Sequence, residues 1–225
     1  MAAPSSYRIA GGTGACSPRG TCGSGGGTVA GRAGVRFALR SLVLGALFAA
    51  LIAAGAFIRI PVFGIPYTLQ TLFVVLAGLL LGANRGALAV GAYILAGLAG
   101  APVFTNGGGL GYVFQPTFGY ILGFFFGAYL TGRLAHTGAR ASFLRFFLAG
   151  LAGVTVLHVI GMAYFLIISN CYLHTGADVR YVLVYCLLPT FPADVFKCIA
   201  AAILAKRLYP AVKVYLDKTG DRPYH

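Results

Sequence analysis

The chain has 225 residues, of which 59% are hydrophobic and only 9% are charged. A soluble domain carries about 25% charged residues, so this composition excludes a water-soluble globule and predicts an integral membrane protein. The net charge of +13 can indicate nucleic-acid binding, but in so apolar a chain basic residues first indicate membrane topology. With about 20 apolar residues in each membrane-spanning helix, the length fits roughly five to seven spans and no second domain.

The chain divides near residue 36 into a polar tail and an apolar domain. Residues 1–36 contain ten of the 33 glycines, together with Ser, Thr, Pro and Arg in no periodic pattern. Such a composition cannot bury a core, which predicts a disordered N-terminal tail or a dispensable leader. Residues 37–209 then form the membrane domain, and residues 210–225 form a basic cytoplasmic tail.

Six apolar runs follow one another in the membrane domain. They cover residues 37–58, 67–82, 86–100, 118–132, 146–168 and 181–209, and the last is interrupted by Pro189 and Pro192. None alternates polar and apolar residues as the strands of a membrane barrel do. The pattern therefore predicts an all-α bundle of about six transmembrane helices.

The positions of the cations predict the orientation of this bundle. With six spans and both termini in the cytoplasm, 14 of the 17 Lys and Arg residues lie on the cytoplasmic side. Only Arg59, Arg180 and Lys197 lie elsewhere. This bias is what the positive-inside rule requires, so it explains the net charge without a nucleic-acid partner. It predicts a multi-pass protein of the plasma membrane.

Enzyme motifs are absent from the sequence. It contains no P-loop, no Glu for a metalloprotease motif and no G-x-S-x-G nucleophile elbow. Its five Cys are odd in number and form no C-x-x-C pair, so neither a metal site nor a disulfide framework is indicated. Transport or ligand binding without a resident cofactor is the predicted class of function.

Charged residues near the last span are the first candidate site. Pro192 fits the first position of a helix, which places Asp194 in the first turn and Lys197 three residues later on the same face. Asp194 can simply complement the helix dipole and pair with Lys197. Alternatively, Asp194 accepts N–H bonds from a ligand in the membrane, and Lys197 supplies positive charge.

Two uncharged segments offer further candidates. Asn106 lies in a glycine-rich outer loop with Gly107 and Gly109, which either brings backbone close to a ligand or is a flexible connector. Thr68 and Gln70 start the second span, where they bind a ligand or cap the helix. His158, within the fifth span, is assigned to hydrogen bonding between helices rather than to the site.

These segments together resemble the BioY family. The matching motifs are Arg-Ile-Pro (59–61), Ile-Pro-Tyr-Thr-Leu-Gln-Thr (65–71), Asn-Arg-Gly-Ala (84–87), Pro-Val-Phe (102–104), Pro-Thr-Phe-Gly-Tyr (116–120) and Pro-Ala-Asp with Lys197 (192–197). They occur in order over residues 40–209. The chain departs from the family at Gln115, usually Gly, at Phe118, usually a small residue, and in the polar segment 169–180.

The resemblance implies a biotin-binding membrane subunit, the S component of an energy-coupling factor (ECF) transporter. Biotin has a ureido ring, an apolar thiophane ring and a carboxylate tail, which suit a mostly apolar pocket with few polar groups. By resemblance, Asn106 and Asp194 bind the ureido ring. Tyr112 and Tyr120 pack on the bicyclic ring. Lys197 or Arg59 meets the carboxylate.

The resemblance also implies partner proteins, since an S component takes its energy from an ATPase pair and a transmembrane coupling protein. Ala46, Ala50 and Ala54 repeat every four residues on the first span, a spacing that allows close helix contact. They serve partner docking or internal packing. An S component for thiamine or riboflavin and a non-transport membrane scaffold are the alternative functions.

Overall fold

A computed structural model describes residues 27–62, 65–137, 142–174 and 178–217, and these residues are mostly helical. The helices are α1 (Gly27–Phe57), α2 (Gln70–Leu81), α3 (Ala83–Leu98), α4 (Phe118–His136), α5 (Phe143–Cys171), α6 (Val179–Val182) and α7 (Leu188–Asp217). A 3₁₀ turn, Leu110–Phe114, precedes α4, and a π-helical segment, Leu183–Leu187, joins α6 to α7. Each of the six predicted apolar runs therefore contains a helix.

A β-hairpin between α1 and α2 departs from the predicted all-α fold. Strands β1 (Arg59–Val62) and β2 (Ile65–Thr68) pair antiparallel, with Arg59 opposite Thr68 and Pro61 opposite Pro66. Proline lacks a backbone N–H and is tolerated in a strand that has a free edge. The described residues form a two-stranded sheet, so each of its strands has one free edge. The all-α prediction is thus wrong for this segment.

Helix α1 begins at Gly27, so it includes the last ten residues of the stretch predicted as a disordered tail. That prediction is wrong for residues 27–36. They contain no Pro, and extending an existing helix adds one hydrogen bond per residue without a new nucleation step. Residues 1–26 lie outside the described residues, and for them disorder stays a prediction.

Pro192 lies inside α7 and does not start a helix, which corrects the prediction for this segment. The helical path runs from Val179 through the π-helical segment, where the N–H of Leu188 bonds to the carbonyl of Leu183, five residues earlier. Proline in a helix interior has no N–H to donate and removes one backbone hydrogen bond. The helix nevertheless continues through Pro192 on both sides. Asp194 consequently lies well inside the helix, away from a positive dipole end.

Helix α2 lies at the centre of the bundle and packs against α1, α3, α4, α5 and α7, while α4 also packs against α3 and α5. The core includes Leu79 and Val90, which are buried. Many large apolar side chains face outward, among them Leu88, Leu95 and Phe196. An extensive exposed apolar surface of this kind is typical of contact with lipid.

Two helices in the described part of the chain are long and apolar enough to cross a membrane, Phe143–Cys171 and Leu188–Val214. Ser41–Phe57 and Gln70–Leu81 are apolar but shorter. At 1.5 Å per residue, the twelve residues of α2 extend about 18 Å, less than the roughly 30 Å of the hydrocarbon core. The six-span count therefore stays a prediction.

Candidate functional site

A cavity lies between β2 and helices α2, α4, α5 and α7, with about 600 Å³ of empty space when its open mouth is included. Six of the predicted site residues line it: Thr68, Gln70, Tyr112, Tyr120, Asp194 and Lys197. Its other lining residues are Tyr67, Thr71, Thr105, Thr117, Ile121, Phe124, Leu157, His158 and Thr190. The sequence motifs thus converge on one cavity from distant parts of the chain.

An ion pair forms the charged centre of this cavity. Lys197 Nζ lies 2.7 Å from Asp194 Oδ1, and the side chains are only 16% and 7% exposed. Lys197 Nζ also donates to the Thr68 carbonyl at the end of β2, at 2.8 Å. Because Asp194 is not in a first helical turn, the alternative that it complements a helix dipole no longer applies. A buried ion pair is expensive to desolvate, which favours a role beyond stability.

His158 on α5 approaches the other oxygen of this carboxylate. Its Nε2 lies 3.5 Å from Asp194 Oδ2 and 3.2 Å from Thr190 Oγ1. The contact with Thr190 links α5 to α7, as expected for hydrogen bonding between helices. His158 also lines the cavity, which the sequence interpretation did not include.

Gln70 is held in place by a buried hydrogen bond. Its Nε2 donates to the Tyr93 hydroxyl at 2.7 Å, and that hydroxyl donates to the Val103 carbonyl at 3.3 Å. The residue before α2, Leu69, makes no side-chain cap. Gln70 therefore connects α2, α3 and the glycine-rich loop at the cavity wall instead of capping its helix.

The glycine-rich loop is anchored by Phe104, which is 1% exposed and packs against the rings of Tyr93 and Tyr112. Gly107 and Gly109 have φ values of 117° and 106°, which favour glycine. The Gly107 carbonyl accepts from the Phe104 N–H at 3.0 Å. Neither glycine lines the cavity, so the observed conformation gives them a role in turning the loop.

Arg59 and Asn106 meet outside the cavity lining. Arg59 Nη1 lies 2.6 Å from the Thr105 carbonyl oxygen and 3.1 Å from Asn106 Oδ1. Both residues are exposed, whereas Thr105, next in the chain, lines the cavity. The pair thus joins the β-hairpin to the glycine-rich loop beside the cavity.

Hydroxyl groups line the cavity between its apolar walls. Thr117 Oγ1 is buried and has no hydrogen-bond partner among the described residues. Tyr67 also lines the cavity and carries a hydroxyl. These groups can donate hydrogen bonds to a polar ligand.

The model of the BioY family matches residues 30–214 of this chain. The chain belongs to the BioY family. A relative from Lysinibacillus sphaericus, named a probable biotin transporter BioY, is 41% identical over 75% of this chain and 86% of its own length. The biotin transporter BioY of Thermotoga maritima is 37% identical over 76% of this chain and 96% of its own.

The fold is also similar to that of a solved structure. The crystal structure of the S component for biotin from an ECF-type ABC transporter aligns with a TM-score of 0.63 and 27% identity. The alignment covers 76% of this chain and 90% of that chain. The mostly helical architecture is therefore that of an S component, and the chain is a membrane protein of a transporter family.

The predicted docking face on α1 is open in this chain. Ala46, Ala50 and Ala54 are all exposed, whereas Ile52 and Ala56 of the same helix are buried. Internal packing of the three alanines, the alternative interpretation, is therefore wrong. Small residues exposed along one helix leave room for another helix to approach closely.

Residues that the sequence interpretation omitted contribute hydroxyl groups and one imidazole to the cavity. They include Thr105, Thr117, His158 and Thr190. Thr117 follows Pro116 within the motif at 116–120, which signals its place in the site, whereas Thr190 lies two residues before the motif at 192–197. No sequence signal indicated that His158 approaches Asp194, because the two residues lie on different helices.

Proposed function

We propose that this protein is the high-affinity biotin-binding subunit of a membrane transporter and mediates biotin uptake. One observation carries the proposal: the Asp194–Lys197 ion pair is enclosed in an otherwise largely apolar cavity. Membership of the BioY family and the likeness to a biotin S component support this choice over thiamine, riboflavin or a scaffold function.

The polar groups suit the two ends of biotin. Asp194 accepts from the ureido N–H groups, and the amide of Asn106, whose Oδ1 already accepts from Arg59, donates to the ureido carbonyl. Reaching that carbonyl requires the loop to move inward, because Asn106 is exposed in the structure. Tyr112 and Tyr120 contact the bicyclic ring, which their aromatic faces can cover.

The carboxylate of biotin binds one of two cations. Lys197 lies in the cavity beside Thr68, and Arg59 lies beside the loop that contributes Thr105. Lys197 is favoured because its ammonium is only partly exposed, and a desolvated charge attracts a carboxylate more strongly than a solvated one. Gly107 and Gly109 shape the loop.

The proposed arrangement in the membrane has six spans with both termini in the cytoplasm. It follows from the location of 14 of the 17 cations and the positive-inside rule. Reporter fusions at His225 and after Asn106 are expected to lie on opposite sides of the plasma membrane. The same location for both would contradict this topology.

Energy for uptake is proposed to come from partner subunits, an ATPase pair and a transmembrane coupling protein of the ECF type. The exposed alanine face of α1 is the proposed docking surface for the coupling protein. In this arrangement ATP is used by the partners, and biotin is the only transported molecule that this chain binds.

Equilibrium binding to the purified protein tests the proposed function directly. Biotin is expected to bind tightly, and thiamine and riboflavin are expected to bind at least about 100-fold more weakly, since the buried polar groups that they leave unpaired disfavour them. A scaffold protein would bind none of the three. Tight binding of another vitamin with no binding of biotin would contradict the proposal.

A further inference from the structure

A second cavity lies between the end of α4 and the start of α5, with about 660 Å³ of empty space when its open mouth is included. It is lined by Leu134, Ser142, Leu144, Arg145, Leu148 and Ala149. Leu134 follows Tyr120 of the proposed biotin site by about 21 Å along α4, at 1.5 Å per residue. The two cavities therefore lie at opposite ends of α4, and the second has no part in the proposed function.

Arg145 carries the one charge among the residues that line this cavity. Its Nε donates to the Leu134 carbonyl at 3.2 Å, which fixes the guanidinium beside the last turn of α4. In the described part of the chain no carboxylate pairs with Arg145, since the ion pairs there all involve Asp194. A guanidinium has five N–H donors, so four remain for an anion. A partly buried cation of this kind is stabilised by a bound anion.

Apolar side chains flank this cation on the outer surface of the bundle. Leu134, Leu144 and Leu148 are 40%, 61% and 53% exposed. Leu144 and Leu148 lie one turn apart on the same face of α5, and the small, buried Ala149 also lines the cavity. The cavity therefore joins an apolar groove to a single cation.

The length of α5 places Arg145 at the depth of lipid headgroups. Helix α5 is long and apolar enough to cross a membrane, and its 29 residues extend about 43 Å. The hydrocarbon core of a bilayer is about 30 Å thick, so a helix of this length extends beyond it at both ends. Arg145 lies in the first turn, at the level of phosphate groups, and Leu148 lies nearer to the membrane centre.

We propose that this cavity binds one phospholipid with a net negative headgroup. Arg145 binds the phosphate, to which its planar guanidinium can donate two parallel hydrogen bonds. The hydroxyl of Ser142, which does not cap α5, is a further donor. One acyl chain lies along Leu144 and Leu148.

Charge and apolar surface together favour this occupant over two related ones. A free phosphate would leave the apolar groove uncovered. A headgroup that also carries an ammonium would bring another cation close to Arg145 and to Arg133, which is exposed in the last turn of α4, and like charges repel. An anionic lipid satisfies both the cation and the groove.

Native mass spectrometry of the full-length protein in detergent counts the lipids that remain bound. With phosphatidylglycerol and phosphatidylcholine of the same acyl chains at equal concentration, we expect one phosphatidylglycerol to be retained preferentially. It should also raise the midpoint of thermal unfolding, since a ligand of the folded state stabilises that state. Glycerol 3-phosphate, which has the phosphate without acyl chains, should bind far more weakly.

Arg145→Gln removes the charge and should weaken phosphatidylglycerol binding by about 10- to 100-fold, the loss expected for a charge-assisted hydrogen bond. Arg207→Gln is the matched control, because it removes the same charge at an exposed position of α7 outside the cavity lining. Leu148→Asn should weaken binding several-fold, and Leu88→Asn, at an exposed leucine of α3, should not. All four variants should bind biotin like the parent.

Four results would overturn the inference. They are the absence of any retained lipid, equal retention of the two lipids, binding of glycerol 3-phosphate as tight as that of the lipid, and equal binding by Arg145→Gln and Arg207→Gln. The third would indicate a site for a free anion, and the fourth would indicate attraction by the overall positive charge. The first three need no variant, so the test stands even if Arg145→Gln does not fold. None involves biotin, so each failure leaves the proposed function intact.

Discussion

The two ends of the helical bundle differ in whether the side chains between their helices leave a cavity, although backbones approach closely at both ends. Near the turn between α2 and α3, a Cβ added to Gly78 would lie 2.6 Å from the Ala128 carbonyl oxygen, so α2 and α4 are in direct backbone contact. At the hairpin end α4 and α5 also touch, since a Cβ added to Gly123 would lie 2.7 Å from the Leu157 carbonyl oxygen, but there the large side chains of Tyr120 and Phe124 line a cavity. Side-chain size along the same helices thus decides where the bundle is closed and where it is open.

The two ends also differ in the polar groups that they contain. At the closed end Thr131 is fully buried, and its hydroxyl, which fits against Gly153, has no hydrogen-bond partner among the described residues. At the open end the charges of Asp194 and Lys197 are paired with each other. A single hydroxyl can be tolerated inside a closed interior, whereas a charge needs a partner. Function should therefore be sensitive at the open end and stability at the closed end.

Asp194→Asn is expected to have the largest effect on the open end. It replaces a charge-assisted acceptor worth roughly 1.5–3 kcal/mol, which corresponds to a loss of biotin affinity of about 10- to 100-fold. Asp178→Asn, at an exposed carboxylate outside the cavity lining, is the control and should bind like the parent. Affinity is measured by equilibrium titration, and parental binding by Asp194→Asn would show that the site is assigned wrongly.

Lys197→Met and the double variant separate the ligand role of Asp194 from the effect of an unpaired buried ammonium. Lys197→Met should weaken biotin far more than biotin amide, since only biotin has the carboxylate. Asp194→Asn should weaken both ligands alike. Equal loss of both ligands in Lys197→Met would move the carboxylate site to Arg59.

Gly78→Ala is expected to destabilise the closed end by about 1–3 kcal/mol, because the added methyl meets backbone that must shift. Gly45→Ala is the matched control in α1, where nothing lies within 4 Å of the added Cβ. It should be neutral or stabilising by up to about 1 kcal/mol. Thermal unfolding measures both, and equal midpoints for the two variants would contradict the close packing at Gly78.

Ala50→Leu changes neither end and tests the outer face of α1. A bulky side chain there should block close approach of a partner helix, so uptake by cells should fall several-fold while biotin binding by the purified chain is unchanged. Ala96→Leu makes the same change at an exposed position of α3 and should leave uptake intact. Loss of binding in Ala50→Leu would place this face in contact with the cavity.

Deletion of residues 1–26 is expected to have the smallest effect, a change of less than about twofold in biotin affinity. The segment has the composition of a disordered tail, and the family match begins after it, at residue 30. Affinity is compared between the truncated and full-length proteins. A large loss in a folded truncation would mean that the tail contacts the cavity.

Local patterns in the sequence predicted the apolar helices, the family and six of the fifteen residues that line the cavity. Apolar runs and motifs are local properties, so each of the six runs contains a helix and six of the ten predicted substrate-binding residues line one cavity. The three-residue spacing of Asp194 and Lys197 likewise placed them on one helix face, where they pair. Local rules failed at Pro192, because a proline typical of a helix start is also tolerated inside a helix whose neighbouring turns compensate.

How distant residues meet depends on tertiary packing. Lys197 bonds to the Thr68 carbonyl, 129 positions away, and Arg59 bonds to Asn106, 47 positions away. His158 approaches Asp194 from another helix. Such contacts depend on helix packing and on which side chains hold the helices apart, and a single sequence records neither. Contacts between residues of one helix were therefore predictable from the sequence, whereas contacts between residues of different segments became known only from the fold.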